Sequence, residues 1–238
     1  MPGLLGESGS RAVRLDGSND YVSVPNATSL ALGSAFSLEA WVSPAFLPAA
    51  GSFASVLSKP EAYSLQFNGA QMEFTVIQSG SRKRLQAAPG AVPANAVSHV
   101  VGTYDGGTQR LYINGVEVAN RTQTGAASTV GNGLNIGSWN GAGEFMGGLV
   151  DEVAVYRAPL SAAQVKAHYD AGRGATTSTA SVRGFGLSRP QPRRVTKPAQ
   201  AKTQRIALRK APRVTWTERA SLEPLCHLEV RDKRRLEG

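Results

Sequence analysis

Residues 97–119 read VSHVVGTYDGGTQRLYINGVEVA, and their punctuation decides the architecture. A β-branched run ending at Tyr104 is followed by Asp105-Gly106-Gly107, a second run Leu111-Tyr112-Ile113, then Asn114-Gly115, and a third run Val116-Glu117-Val118. A type I′ turn demands positive φ at both central residues, which Asn-Gly and Asp-Gly tolerate at little cost, and its twist matches that of the flanking strands. The stretch is therefore expected to be a three-stranded antiparallel meander, not a helix.

The same signals recur on either side. Residues 12–15 and 21–24 read as short strands around the turn Asp16-Gly17-Ser18-Asn19-Asp20. In 36–43, Phe36, Leu38, Ala40 and Val42 alternate with Ser37, Glu39, Trp41 and Ser43. Trp41 makes the second face partly apolar, which suits an inner strand covered on both faces or places Glu39 near a rim. Strands are expected at 53–58, 62–67 and 70–78, the last two joined by Asn68-Gly69 in another turn of the same type. Met72, Phe74 and Val76 share one face of the last, leaving Gln71, Glu73, Thr75 and Ile77 opposite. Arg82-Lys83-Arg84 then reads as a basic loop tip, either solvated or contacting an anion or acidic glycan. Beyond the meander, strands are expected at 133–137 and 149–156. Ser161-Ala162-Ala163-Gln164 is a capping box with Leu160 placed to staple onto Val165, so a short helix should run over 162–171 and end at Gly172 in a left-handed cap.

Four motifs in this order, RLDGSNDYVSV, SLEAWV, HVVGTYDG…LYINGVEVA and LVDEVAVY-RAPLSAAQV, resemble the laminin G-like, concanavalin A-like lectin-glucanase jelly roll over residues 11–172. The resemblance implies an all-β, two-sheet antiparallel sandwich with a short C-terminal helix. It also implies a further strand ahead of residues 2–15, whose absence would leave a sheet edge unpaired. Such folds host lectins, adhesion modules, glycan hydrolases and spacers, so function has to come from the site. The resemblance further implies an extracellular or cell-surface setting, although MPGLLGESGSR lacks the charged start and apolar run of a secretory signal.

Charge divides the chain. Residues 1–172 carry 10 Lys and Arg against 12 Asp and Glu, a net of −2, while 173–238 carry 16 against 5, a net of +11. The expected organisation is thus a jelly-roll domain at 1–172 and a basic tail at 173–238, disordered because it has too little apolar surface to offset chain entropy. Such a tail would touch polyanions through salt-sensitive, phosphate-type contacts or have no role at all. No apolar run approaches the ~20 residues of a membrane span, and a single cysteine, Cys226, excludes an internal disulfide framework. Oligomeric state is not legible.

Glycan hydrolysis needs two carboxylates flanking one bond, and no alternating array of them appears on a strand. His99 and His168 have no Ser or Cys at motif spacing and read as structural. The chain reads as non-catalytic. Jelly rolls of this kind often hold a structural calcium ion, and the matching oxygen donors are Asp16, Asn19 and Asp20 with Asp151 from the closing strand; the alternative is an Asx-turn with Asp151 in a salt bridge. For a glycan ligand, Trp139 and Asn140 in a glycine-flanked loop, with Tyr104, are the residues that could stack on a sugar and hydrogen-bond beside it. The resulting reading is a carbohydrate-binding or adhesion module. Its rivals are a ligand-free spacer, a degenerate glycan hydrolase and a polyanion binder acting through the tail.

Overall fold

A computed structural model describes residues 3–5 and 11–174, together with the backbone of three later segments. Twelve strands and one helix follow in order: β1 (Val13–Asp16), β2 (Val22–Val24), β3 (Phe36–Pro44), β4 (Phe53–Lys59), β5 (Tyr63–Asn68), β6 (Gln71–Gln78), β7 (Ser81–Gln86), β8 (Ser98–Tyr104), β9 (Thr108–Ile113), β10 (Val116–Thr122), β11 (Leu134–Ile136), β12 (Gly147–Tyr156) and α1 (Ala162–Gly172). They form two antiparallel sheets. One runs β10-β9-β8-β3-β12 with β1 also on β12, and the other runs β2-β11-β4-β5-β6-β7. The core lies between them, where Phe36, Leu38, Val100 and Leu111 meet Tyr63, Phe67, Phe74 and Val76.

The hairpin chemistry is visible in the backbone. Asn114 and Gly115 have φ of 53° and 80°, the type I′ turn expected between β9 and β10. Between β5 and β6 the outcome differs. Gly69, at φ 56°, is the first central residue and Ala70 the second, which makes the turn type II′. Between β8 and β9 the Asp105 carboxylate accepts from the amides of Gly107 at 2.9 Å and Thr108 at 2.6 Å, closing a three-residue loop. Ser79 and Gly80, at φ 47° and 75°, form a type I′ turn that the sequence reading missed. That turn sends Arg82-Lys83-Arg84 back as the edge strand β7, so these residues are not a loop tip.

β3 is covered on both faces, by the core and by α1. The capping box forms: the Ser161 hydroxyl accepts from Gln164 N at 3.3 Å, and Ser161 N donates to Gln164 Oε1 at 2.9 Å. Leu160 and Val165 bury themselves with Val101, Tyr112 and Ala154. Gly172 belongs to the helix and the left-handed residue is Gly174, at φ 61°, two positions later than expected. Gly172 is needed for another reason, because a Cβ there would run into the Trp41 ring. The Trp41 and Tyr169 rings stack at 5.9 Å and fasten the helix to β3.

Three backbone segments, β13 (Thr203–Ile206), β14 (Val214–Thr217) and β15 (Cys226–Glu229), continue the first sheet, β15 pairing with Val153, Ala154 and Val155. β1 pairs with the 147–150 half of β12 and β15 with the 153–155 half, so β12 carries partners along both halves of that side. The remainder of 175–238, on which the expectation of a disordered tail falls, lies outside the described residues. Among the described residues no helix is long and apolar enough to cross a membrane.

Candidate functional site

On β5, β6 and β7 the core takes Leu65, Phe67, Met72, Phe74, Val76 and Leu85, so strand alternation turns the intervening residues to the outward face of the six-stranded sheet. Register aligns them in two lines across four strands. One is Ser58-Ser64-Thr75-Arg84 and the other is Ser55-Gln66-Glu73-Gln86. The members on β4, β5 and β6 are buried, at 1% exposure or less, although they face away from the core.

Glu73 is the hub. Its Oε1 accepts from Gln66 Nε2 at 2.9 Å and Thr75 Oγ1 at 2.9 Å, and its Oε2 from Gln86 Nε2 at 2.9 Å and Asn68 Nδ2 at 3.3 Å. Arg84 Nε stands 3.5 Å from Oε1, and Ser64 donates to Gln66 Oε1 at 2.8 Å. A buried carboxylate is tolerable only with its lone pairs filled, and here they are.

The loop between β11 and β12 closes over one end of this bed. Trp139 N and Ser138 Oγ both donate to Gly143 O, at 3.1 and 2.7 Å, and Ala142 N donates to Asn140 Oδ1 at 3.0 Å. Ser58 Oγ donates to Trp139 O at 2.6 Å, while Ser55 donates through its backbone N to Glu144 O at 2.8 Å and through its hydroxyl to Glu144 Oε2 at 3.0 Å. Trp139 is half-buried and Asn140 exposed. From the opposite edge, the Arg82 guanidinium lies 4.4 Å over the Trp139 ring and that of Arg84 lies 5.5 Å over Phe53.

Of the residues read from sequence as ligand-binding, Trp139 and Asn140 therefore border this face. Tyr104 does not. It is fully buried in the core, its hydroxyl lying against the carbonyls of Gln123 and Gly125 and accepting from Gln78 Nε2 at 2.9 Å, so its ring cannot stack on a sugar. The bed itself escaped the sequence reading, although the polar alternation of β5 and β6 was its signal.

The calcium set is not brought together. Asp16 Oδ1 accepts from the amides of Ser18, Asn19 and Asp20 at 2.8, 3.1 and 3.3 Å, an Asx-type turn whose hydrogen bonds hold the carboxyl below its ordinary value. Asp16 pairs with Gly147, which puts Asp151 four residues further along β12, about 13 Å away. Asp151 is buried and accepts from Leu4 N at 2.7 Å and Glu152 N at 3.0 Å. Among the described residues no group of three or more His, Cys, Asp or Glu is placed to hold a metal, and these four do not fit one calcium ion. Asp151→Ala should accordingly cost about 2–4 kcal/mol through its stranded amides, and melting curves should show the same loss in calcium and in chelator. A loss seen only in calcium would restore the metal reading.

A second polar cluster lies beneath α1. Glu39 accepts from His99 Nε2 at 2.7 Å, from Tyr156 OH at 2.7 Å and from His168 Nδ1 at 3.1 Å to both oxygens. Burial alone would raise the Glu39 pKa, but hydrogen bonds from His168 and His99 outweigh it and hold it at about 2. His168 is raised by its hydrogen bond to Glu39, and Tyr156 is raised by burial and the adjacent charge. Covered by α1 and close-packed with Trp41, this cluster ties helix to sheet.

A sequence profile described as the concanavalin A-like lectin/glucanases superfamily, of laminin G type, matches residues 16–166. The chain belongs to that superfamily. Solved structures with the same fold include CBM40 of the Ruminococcus gnavus IT-sialidase bound to α2,3-sialyllactose, at 15% identity and TM-score 0.57, covering 67% of this chain and 96% of that one. The binding domain of Paraclostridial mosquitocidal protein 1 aligns at 14% identity and TM-score 0.56, over 69% of this chain and 46% of that one. This member of the superfamily thus spans about half of that longer chain. Domain 4 of the Geobacillus stearothermophilus extracellular arabinanase AbnA, in complex with arabinotriose, aligns at 21% identity and TM-score 0.50, over 69% of this chain and 81% of that one. At these identities the likeness is one of fold. No curated protein matches the chain.

Proposed function

We propose that the chain is a non-catalytic glycan-binding module working outside the cell, with its ligand on the outward face of the six-stranded sheet. The observation that carries this is the pair of polar lines across β4–β7, whose buried hydroxyl, amide and carboxylate groups hold the exposed Arg84 and Gln86 in register beside a fixed loop bearing Trp139 and Asn140. Sugars are recognised by such sets of hydrogen-bonding groups next to an aromatic ring, and loops on a rigid sandwich supply them. The neighbours add support, since one is bound to sialyllactose and another, from an extracellular enzyme, to arabinotriose. Catalysis fits the face poorly. Glu73 is fully engaged by its donors and Glu144 is fixed by Ser55, whereas glycoside hydrolysis needs one carboxyl free to give up a proton and a second free to attack or to activate water.

Calorimetric titration of the full chain with neutral and acidic oligosaccharides tests the reading. At least one class should bind, and a Gln86→Ala/Asn140→Ala double variant, altering two exposed positions bordering the face, should weaken it by roughly tenfold, the worth of one or two lost hydrogen bonds. Absence of binding across the panel, or unchanged binding in the double variant, would sink it.

A further inference from the structure

The polar bed is roofed by its own arginines. β4 and β7 are separated by β5 and β6, a span of about 14 Å in a regular sheet. Contact between Arg84 of β7 and Phe53 of β4 must therefore pass over the outward faces of the two strands between them. The same holds for Arg82 and Trp139, whose backbone carbonyl is tied to β4 through Ser58. Two arginine–aromatic straps thus cross the bed side by side, and the groups beneath them are buried.

The straps differ in charge. Arg84 has the Glu73 carboxylate at 3.5 Å, whereas Arg82 has no carboxylate at ion-pair distance among the described residues and meets only the indole face. That indole face is consequently not a bare platform for a sugar ring. A ligand reaching it has to engage or displace an exposed guanidinium. A neutral sugar would leave that guanidinium without its aromatic partner. A carboxylate would accept from it through two parallel N–H donors and neutralise it in place.

Resting on the glycan reading above, we infer that this face selects sugars bearing a carboxylate, with Arg82 receiving the carboxylate and Trp139 positioning Arg82.

The test is titration of the full chain at physiological salt with a tri-galacturonide and with sialyllactose, each beside its carboxyl-reduced neutral counterpart. At least one acid should bind about tenfold or more tighter than its reduced form, the margin expected of a bidentate charge-assisted pair. Arg82→Gln should bring acid and neutral forms to within about threefold, and Arg82→Lys, which keeps the charge but loses the fork, should fall between them. The basic segment at 173–238 supplies an internal control, because any acid preference arising there survives Arg82→Gln. Equal binding of acid and neutral forms, or an acid preference unaltered in Arg82→Gln, overturns the charge assignment and leaves the glycan reading standing. Absence of binding to all four ligands overturns the charge assignment, and silence across the wider oligosaccharide panel overturns the glycan reading as well.

Discussion

Glu39→Ala should lower the stability of the domain by roughly 3–5 kcal/mol, the usual consequence of removing one member of a buried, hydrogen-bonded charge cluster. For a chain of this size that is a fall of roughly 6–20 °C in melting temperature. The reason is topological as well as electrostatic. Glu39 sits on β3, and its three partners come from three other elements, His99 on β8, Tyr156 on β12 and His168 on α1. Losing it strands donors at each and unfastens the helix. The cluster also sets a pH profile. Glu39 titrates at about 2 in the fold against an ordinary 4.5, so its contribution is complete above about 4.5 and is lost as pH falls towards 2. His168 is raised above its ordinary 6.5, so its contribution is complete below about 6.5 and is lost as pH rises through its raised value. The remaining groups of the cluster are His99 and Tyr156, with the charge of Glu152 acting on Tyr156. Stability due to this cluster should therefore peak between about 4.5 and 6.5, and Glu39→Gln should flatten both limbs. Unfolding curves across pH check this, and a Glu39→Gln profile superimposable on the parent's would refute it.

Glu73→Ala should cost a comparable amount, roughly 3–5 kcal/mol, because it strands four donors and leaves Arg84 without its carboxylate. Unlike Glu39, this residue organises the proposed ligand face, so on that reading its loss should also abolish glycan binding under conditions where the variant remains folded. Glu73→Gln separates the two effects. The amide keeps the shape of the side chain but places an N–H group where donors already point, so stability recovers in part while the bed stays misaligned. Thermal melts and titrations of the two variants provide the check. A Glu73→Ala protein that melts and binds like the parent would show that the network is ornamental.

The local code was legible wherever a short-range rule had one solution. Asn114-Gly115 forms its type I′ turn, Ser161 and Gln164 close their box, and the alternation in β6 places Met72, Phe74 and Val76 in the core. Where a rule had more than one solution, tertiary context chose between them. At Asn68-Gly69 the glycine entered the turn one position earlier, because Ala70 has a Cβ and Gly69 takes the positive φ by itself. At β7 the charged residues looked like a solvated tip. An edge strand can be charged and still pair on one side, and here Leu85 alone turns a large apolar side chain to the core.

The sequence by itself determined antiparallel strands, their turns and a capped helix, because hydrophobic period and turn chemistry act over only a few residues, while closure into two sheets was implied by the family resemblance. It could not say which polar residues matter. Alternation assigns Gln66, Glu73 and Thr75 to an outward face, but whether that face is washed by water or roofed depends on Arg82 meeting Trp139 and Arg84 meeting Phe53. The same limit sent Tyr104 into the core and kept Asp151 away from Asp16. Those outcomes were decided by tertiary structure, because burial and charge pairing depend on distances between residues far apart in the chain, and only the stacking and register of the two sheets fix those distances.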